Sequence, residues 1–483
     1  MGGVGLLREV TISEHIIIYG TGAVSDVLCC FLDIKGEAHK ICAFATSKIN
    51  GDSEKKRGYI IYRIDEAVSI YKDAMVLVAA QKPNHMEMEQ TLKRVGCKNY
   101  YFIDPELLIE TFYKGLFKSP IEPKKIFFMN YNGCGYGCNP KYIAKQLIEK
   151  KDVLTDIKMV WGVKKYSASI PMEIHQVLIG TLEYYRELAT SGIWIDNARK
   201  TIDVRKREGQ YYIQTWHGAA PMKKVERDIE EHMSPSLIAA SKNDSKMADL
   251  FLSGSRFYSE LYRKSFWFDG DIFEVGLPRQ DVFWYQEEAR SKVQKKHEIE
   301  ENVCIVLYAP TFRDDFSMEA YDLDIERVKN AIEHRFNKEC VLLVSKHPNN
   351  MEREYQFQSN NYIDVSDYDD FEELLAAADV LISDYSGCIY DFSCFTGKPV
   401  FLYQKDYDQM LEQRNFYIPV DEMPYPRAES MDELIGIIDK FDDLFYQNKL
   451  NAYIRRFGNF DDGSASEKVY ERIKNVLSGG EDL

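Results

Sequence analysis

Residues 379–392 read DVLISDYSGCIYDF, and this stretch decides the fold class. Its first half is a short apolar run that predicts a buried strand, and the segment after Gly387 predicts a helix. Ser386 lies at the start of that helix, where its hydroxyl and the free N–H groups of the first turn form an anion site. Simple helix capping would favour the same residues, so the sequence leaves both interpretations open.

Four more strand-like runs accompany this unit: NVCIVLYAP, CVLLVSKHP, YIDVS and KPVFLY. Five such runs separated by helical stretches predict a doubly wound parallel sheet over residues 296–483. The same alternation predicts a second α/β domain at 116–295 and a small parallel α/β unit at 1–115, with residues 105–123 as a linker. The small unit resembles a Rossmann-like accessory domain. Two large sheets in tandem also predict a ligand cleft between them.

The composition excludes several classes of protein. The chain has 483 residues with 61 basic and 77 acidic side chains, so its net charge of −16 does not attract nucleic acid or an anionic membrane through its overall field. Ten scattered cysteines, several inside apolar runs, favour reduced thiols in a cytoplasm. No apolar run approaches the roughly 20 residues that span a bilayer. We therefore expect a cytoplasmic protein that neither crosses a membrane nor binds nucleic acid.

A histidine follows the strand YYIQ in the segment QTWHG, residues 214–218. His217 can act as a neutral base near pH 7, and the adjacent Gly218 leaves room for a substrate, whereas the alternative is a buried histidine bonded to the backbone. The surroundings favour chemistry, because residues 199–227 hold eight basic against three acidic side chains. This local excess predicts a site for a phosphate-rich acceptor or anionic lipid headgroups, and a solvated charged face is the alternative.

Polar residues also follow other predicted strands. Thr311 and Arg313 come after the first strand of the third domain, where Arg313 could grip a phosphate with two hydrogen bonds or pair with one of the two aspartates that follow it. Lys346 and His347 end the next strand, and a cation beside an imidazole suits a phosphoryl group in transfer. Arg279 follows the last strand of the second domain in the segment GLPRQD, as part of the site or as a structural ion pair.

Seven features occur in the order known from one family: WIDN, the basic run, QTWHG with PMKK, GLPRQD, YAPTFRDD, KHP and DYSGCIYDF. Over residues 124–478 they resemble the CDP-glycerol poly(glycerophosphate) glycerophosphotransferases, the teichoic acid polymerases and their capsule-polymer relatives. The resemblance implies a glycosyltransferase-B-like (GT-B-like) arrangement of two Rossmann-like domains with the active site in their cleft. It also implies that no metal or cofactor is required and that the protein is peripheral at the inner face of the cell membrane. Ala219, Gly387 and the missing glycine after Lys224 depart from the family pattern and bear on the acceptor.

The resemblance further implies transfer of a polyol phosphate from CDP-glycerol or CDP-ribitol to a hydroxyl of a lipid-linked or polymeric acceptor, with release of CMP. His217 would remove the acceptor proton, and His347 would stabilise the departing CMP phosphate or donate a proton to it. The expected donor and phosphate contacts are Thr311, Arg313, Lys346, Asp384, Ser386 and Gly387. The expected acceptor or basic surface, which could also meet an anionic membrane, consists of Arg205, Lys206, Arg207, Lys223, Lys224 and Arg279.

Two alternatives stay open at this point. A GT-B nucleotide-sugar glycosyltransferase or a sugar-nucleotide epimerase would have the same fold, but it needs carboxylate or sugar-reading residues that the sequence does not reveal. A non-catalytic assembly protein would bind anionic polymer or lipid through residues 199–227. Such a protein would tolerate loss of both His217 and His347.

Overall fold

Three β-sheets, each built mainly from parallel strands, organise the chain. The structure is a computed structural model, and it describes residues 13–48, 55–218, 220, 222–311, 313, 322–347, 357, 359–413 and 415–479. The predicted α/β class is confirmed. Each sheet is flanked by helices, which bury the apolar faces of its strands.

The strands of the three sheets are numbered in chain order. The first sheet contains β1 (Ile16–Tyr19), β2 (Ile41–Thr46), β3 (Lys55–Lys56), β4 (Tyr59–Arg63), β5 (Met75–Val78) and β6 (Tyr100–Phe102). The second contains β7 (Glu122–Met129), β8 (Lys158–Val163), β9 (Ile174–Leu178), β10 (Ser191–Asp196), β11 (Tyr211–Gln214), β12 (Leu250–Ser253) and β13 (Asp271–Glu274). The third contains β14 (Cys304–Tyr308), β15 (Cys340–Val344), β16 (Ile363–Asp364), β17 (Val380–Ser383), β18 (Val400–Tyr403) and β19 (Arg427–Ala428). The five runs predicted for the third domain are confirmed as β14 to β18.

The α-helices of the first two domains are α1 (Ala23–Lys35), α2 (Ile64–Ile70), α3 (His85–Arg94), α4 (Pro105–Leu116), α5 (Cys138–Glu149), α6 (Leu182–Thr190), α7 (Pro235–Met247), α8 (Arg256–Ser265) and α9 (Gln286–His297). Those that follow are α10 (Ile325–Phe336), α11 (Phe371–Ala377), α12 (Cys388–Thr396), α13 (Tyr407–Gln413), α14 (Met431–Asp439), α15 (Asp443–Ile454) and α16 (Ala465–Leu477). Short 3-10 segments are formed by Ala38–Lys40, Lys82–Asn84, Glu226–His232, Pro278–Tyr285 and Val420–Glu422.

The strand order of each sheet shows where a ligand is expected to bind. They are β3-β4-β2-β1-β5-β6, β13-β12-β11-β10-β7-β8-β9 and β16-β15-β14-β17-β18-β19, and all pairs are parallel except β3 with β4. The order reverses between β7 and β10 in the second sheet and between β14 and β17 in the third. Open parallel sheets bind ligands beyond the carboxyl ends of the strands at such a reversal. The residues that follow these four strands are therefore candidates for the site.

The predicted linker at 105–123 is wrong in its first half, because residues 105–116 form α4. Pro105 takes the first helical position, where its missing N–H is not needed. The carboxylate of Asp104 accepts hydrogen bonds from the N–H groups of Glu106 and Leu107, at 3.1 and 3.3 Å, and so caps the helix. Proline at this position starts a helix as readily as it marks a linker.

Two helices bind to the neighbouring large domain. Helix α9 spans the predicted boundary between the second and third domains, and its Arg290 donates to the Ala377 carbonyl at 2.7 Å and to Asp379 at 3.0 Å in the third. Helix α16 ends the third domain, and Asp281 of the second accepts the N–H groups of Ala465 and Ser466 at its start. The chain therefore crosses between the two large domains twice, and the crossings tie them together.

The small first domain packs closely on the second through Gly180. This glycine has a left-handed backbone, with φ of +77°, and a Cβ atom there would lie 2.9 Å from Cγ of Asp26. Asp26 is held in place by an ion pair with Lys56 at 2.8 Å. The carbonyl of Gly180 also accepts a hydrogen bond from Arg57. The interface therefore has no room for a side chain at this position.

Replacing Gly180 by alanine tests this packing. We expect the free energy of unfolding to fall by about 2 to 3 kcal/mol, because the change adds a steric contact to the backbone strain. Gly96→Ala is the matched control, since Gly96 has φ of +71° with no atom within 4 Å of the added Cβ, and it should cost only about 1 kcal/mol. Urea unfolding measures both. Equal losses in the two variants would contradict close packing at Gly180.

Candidate active site

His217 lies at the carboxyl edge of the second sheet, three residues beyond the end of β11. Its Nδ1 lies 2.6 Å from the backbone carbonyl oxygen of Asn197. A carbonyl only accepts, so Nδ1 carries the proton and donates. Nε2 therefore carries the lone pair of the neutral ring, which is the state a general base requires.

Two aromatic rings fix the His217 imidazole in place. Trp216 stacks on it with a centroid distance of 4.3 Å, and Tyr131 meets it edge-on at 5.4 Å. Both aromatic residues have left-handed backbones, with φ of 51° at Trp216 and 41° at Tyr131. Large side chains rarely adopt this conformation, and such strain accumulates at functional sites. The strain at these two positions marks the same site as the histidine.

Asn197 organises the sheet edge beneath His217. Its side-chain oxygen accepts the N–H of Tyr131 at 2.7 Å, and its side-chain nitrogen donates to Asn130 at 2.8 Å. Its backbone carbonyl holds His217, as described above. One residue thus joins the ends of β7 and β10, which meet where the strand order reverses. Sequence reasoning gave Asn197 no role, and its only signal was its position at the end of the WIDN motif.

A second buried amide, Asn139, holds the loop that carries His217. Its side-chain nitrogen donates to the carbonyl oxygens of Trp216 at 2.9 Å and Thr215 at 3.4 Å. Its side-chain oxygen accepts the backbone N–H of Arg279 at 3.0 Å. Helix α5, the loop that carries His217 and the GLPRQD segment are therefore joined at one fully buried side chain.

The structure brings His217 and His347 into the same cleft. The pKa of His217 is lowered to about 4, chiefly by burial and also by the charges of Arg279, His347 and Arg199, while the hydrogen bond to Asn197 opposes this shift. Burial also lowers the pKa of His347 to about 4, with Lys223 lowering it and Asp384 raising it. Because His217 responds to the charge of His347, the second and third domains place their histidines on facing sides of one site.

The predicted phosphate grip of Arg313 is not what the structure shows. Its guanidinium pairs with Asp384 at 2.8 Å and with Asp406 at 2.5 Å, and it also donates to the Thr311 carbonyl. The two aspartates of the alternative interpretation lie outside the described residues. The hydroxyl and the N–H of Thr311 both donate to Asp384. Arg313, Asp384 and Thr311 therefore form a closed network that shapes the turn after β14 and β17.

Ser386 and Gly387, two of the residues predicted to contact the donor, lie at the start of α12. The hydroxyl of Ser386 accepts the N–H of Cys388 at 3.3 Å, so it caps the helix as the sequence allowed. A Cβ atom on Gly387 would lie 3.4 Å from the Ala220 carbonyl, which places this turn directly against the loop after His217. Lys346 pairs with Asp364 at 3.2 Å. The helix start faces the catalytic loop across the cleft.

The three cations of the basic surface predicted at residues 205–207 bind neighbouring parts of the protein, and their contact with an acceptor stays a prediction. Arg205 pairs with Glu106 at 2.9 Å, and Lys206 donates to Asp249 at 2.6 Å. Arg207 donates to the carbonyls of Phe117 and Ser119 and lies over the ring of Phe117. These contacts attach α4 and the chain after it to the second domain.

Arg279 is likewise not on a surface. It is 4% exposed, and its guanidinium donates to Glu372 at 2.8 Å and to Asp391. Both carboxylates belong to the third domain, so the ion-pair alternative is the correct one. Arg199 and Lys200 are also paired inside the second domain. Lys223 and Lys224 lie on a segment that crosses to the third domain, where the N–H of Lys224 donates to the Asn415 carbonyl at 3.2 Å.

Among the described residues, no group of three or more His, Cys, Asp or Glu side chains is arranged to hold a metal ion. In that same part of the chain, none of the helices combines the length and the apolar character that a membrane span needs. All ten cysteines are free.

Residues 111–475 match the family described as CDP-Glycerol:Poly(glycerophosphate) glycerophosphotransferase. The chain belongs to this family. Its matched region contains every motif on which the resemblance was based, together with His217, His347 and the first turn of α12. The predicted family is therefore confirmed, and with it the assignment of the chain to a group of enzymes.

Named relatives of this glycerophosphotransferase-family chain are described as teichoic acid polymerases. The teichoic acid poly(glycerol phosphate) polymerase of Bacillus spizizenii is 28% identical over 374 residues, which cover 73% of this chain and 93% of that protein. The polymerase of the same description from Staphylococcus epidermidis is 28% identical over 379 residues, or 73% of this chain, which spans only 51% of that protein. The structure of the wall teichoic acid polymerase TagF matches with a TM-score of 0.66 at 25% identity, over 83% of this chain and 99% of that one. This likeness confirms the predicted GT-B-like arrangement.

The lowered pKa values of the two histidines can be measured directly. In the folded protein, NMR signals of His217 and His347 should titrate near pH 4, so both rings stay neutral at pH 5.5. In urea the same residues should titrate near 6.5, the ordinary value for histidine. Assignment uses His217→Asn and His347→Asn, each of which removes one signal. Titration of either ring near 6.5 in the folded protein would contradict its burial in the cleft.

Proposed function

We propose that this chain transfers a polyol phosphate from CDP-glycerol or CDP-ribitol to a hydroxyl of a teichoic-acid-like or capsular acceptor, polymeric or lipid-linked, and releases CMP. The observation that carries the proposal is the pair of half-buried histidines on the second and third domains. His217 has its Nε2 lone pair fixed by the bond from Nδ1 to Asn197, and His347 approaches from the third domain. Family membership supports the same reaction class.

In the proposed step, Nε2 of His217 takes the proton from the acceptor hydroxyl as its oxygen attacks phosphorus. The new O–P bond joins the acceptor to the polyol phosphate, and the P–O bond to CMP breaks. The electron pair of that bond leaves with CMP. His347 lies on the donor side, where it would stabilise the departing phosphate or supply it with a proton.

Negative charge on the transferred phosphate would meet the first turn of α12. The dipole of a helix favours an anion at the helix start, and Gly387 lets the phosphate approach the backbone there. Thr311, Asp384 and Arg313 would support this turn from below through their mutual bonds. Lys346 precedes His347 in the chain and would add a further positive charge from the third domain. The proposal uses only groups of the chain and no resident metal or cofactor.

A cytoplasmic location and a peripheral contact with the inner face of the membrane stay predictions. The ion pairs of Arg205 and Lys206 remove them from a lipid-binding surface. Any basic contact with anionic lipid would therefore use other cations of the run, such as Arg227, whose guanidinium lies 5.5 Å from the Trp267 ring.

Loss of His217 tests the proposal. With purified protein, an acceptor and either CDP-glycerol or CDP-ribitol, we expect His217→Ala to lower CMP release about a hundredfold or more, because general-base catalysis contributes this much. Binding of the CDP donor, measured by calorimetry, should change less than twofold. His175→Ala is the control, since that histidine pairs with Glu183 on the exposed edge of the second domain.

Other outcomes of this assay would favour the alternatives. Turnover of a UDP-sugar without CMP release from either donor would indicate a glycosyltransferase or an epimerase. Acceptor binding with no turnover, unchanged when both His217 and His347 are lost, would indicate a non-catalytic assembly protein. A collapse of donor binding in His217→Ala, with normal turnover at saturating donor, would make His217 a binding residue.

Removal of divalent cations tests the metal-free part of the proposal. We expect CMP release to keep at least about half of its rate in excess EDTA, because the proposed charge-stabilising groups are the N–H groups of α12 and cations of the chain. Added magnesium after EDTA is the control for recovery. Loss of activity in EDTA that magnesium restores would show that a metal takes part.

A further inference from the structure

A short segment after His217 crosses the cleft and pairs with the third domain. We call residues 222–225 the strap. The N–H of Lys224 donates to the Asn415 carbonyl, and the N–H of Tyr417 donates to the Met222 carbonyl, each at 3.2 Å. Lys223 and Phe416 form an antiparallel bridge between these two bonds. The strap is therefore a strand-like connection from the catalytic loop to the donor domain.

Tyr417 secures this connection with its side chain. Its hydroxyl donates to Asp228 at 2.7 Å and accepts the N–H of Val225 at 3.2 Å. Asp228 also accepts a hydrogen bond from Ser265, so it is itself held by the second domain. The ring of Tyr417 contacts Phe257 of α8 with a centroid distance of 5.8 Å. Through these contacts, Tyr417 of the third domain holds Val225, the last residue of the strap, next to Asp228 of the second domain.

Phe416, which pairs with Lys223 of the strap, also contacts the residues just before α12. Phe416 stacks with Tyr385 at 5.9 Å and with Tyr407 at 6.0 Å. Tyr385 directly precedes Ser386, and its hydroxyl donates to Asp406 at 3.0 Å, the partner of Arg313. The position of the strap is therefore coupled to the turn before α12 through packed rings.

The strap brings Lys223 to the donor half of the cleft. Its ammonium lies close enough to His347 to lower the pKa of that imidazole. The other charged groups that face His347 are Asp384, which raises its pKa, and His217 across the cleft. The sequence had placed Lys223 on an acceptor surface, whereas the backbone pairing turns this part of the chain toward the third domain.

We propose that Tyr417 is a positioning residue that holds the strap so that Lys223 lies over the donor phosphates, where its ammonium stabilises the charge that develops during transfer. This inference rests on the proposed function. Lys223 keeps its proton throughout, and the bonds that form and break at phosphorus are those of the proposed step. A cation fixed in advance stabilises such charge more effectively than one that must be ordered during the reaction.

Kinetics of CMP release test the proposal through Tyr417→Phe and Lys223→Gln. We expect kcat to fall about tenfold in Tyr417→Phe and about a hundredfold in Lys223→Gln, since loss of one preorganised charge-stabilising group costs about this much. The Kd for CDP should stay within about twofold in Tyr417→Phe. The kcat of the double variant should be less than about twofold below that of Lys223→Gln alone, because both changes remove the same interaction.

Tyr446→Phe is the matched control. The Tyr446 hydroxyl donates to the Lys398 carbonyl at 3.0 Å within the third domain, so this variant also loses one buried hydrogen bond. It should lower Tm about as much as Tyr417→Phe does but leave kcat unchanged. Equal loss of kcat in both variants, or full additivity with Lys223→Gln, would overturn the positioning role.

A measurement without substrate separates this inference from the proposed function. By NMR, the pKa of His347 should rise in both Lys223→Gln and Tyr417→Phe and stay unchanged in Tyr446→Phe. A His347 titration that neither variant moves would overturn the inference, whatever the enzyme's activity. If the wild-type protein releases no CMP while the His347 pKa shifts as expected, the proposed function fails, and with it the role of Lys223 in transfer, while the placement of Lys223 by Tyr417 stands.

Discussion

The buried guanidinium of Arg279 is the interaction on which the rest of the structure depends. It comes from the second domain and pairs with Glu372 and Asp391 of the third, far from water. Burial raises the pKa of Glu372 to about 8 although Arg279 opposes this rise, so ionising the cluster is costly. Removing one partner would leave a buried charge without compensation, which typically costs several kcal/mol. The two domains are therefore held in one relative arrangement.

The same residue links domain arrangement to the catalytic groups. The backbone N–H of Arg279 donates to Asn139, and Asn139 holds the loop of Trp216 and His217. On the other side, Asp391 belongs to α12, whose first turn is the proposed anion site. A shift between the domains would thus move the base and the phosphate site relative to each other. Because transfer requires both within about one ångström of their productive positions, a rigid link of this kind favours catalysis.

The local sequence predicted the strands and the polar residues at their carboxyl ends. Apolar runs placed the strands, and a polar residue just after a strand lies at the carboxyl edge of its sheet, which is how His217 and Asp384 were found. The partners of the cations could not be predicted in this way. Lys206 pairs with Asp249, and Arg205 with Glu106, across more than 40 residues of chain, so part of the charge excess counted within residues 199–227 is neutralised by distant carboxylates. The strap was missed for a similar reason, since its hydrogen bonds reach residues almost 200 positions away.

Two histidines with pKa values near 4 are weak bases, and this raises the question of how His217 could remove a proton efficiently. The causes of the low values suggest the answer, because burial and nearby cations both disfavour the imidazolium form. A bound diphosphate would bring negative charge between His217 and His347, and opposite charge favours protonation. We therefore expect the donor to raise both pKa values toward the range in which a general base works best. Both rings would then be neutral in the empty cleft, and binding of the donor would make His217 a stronger base.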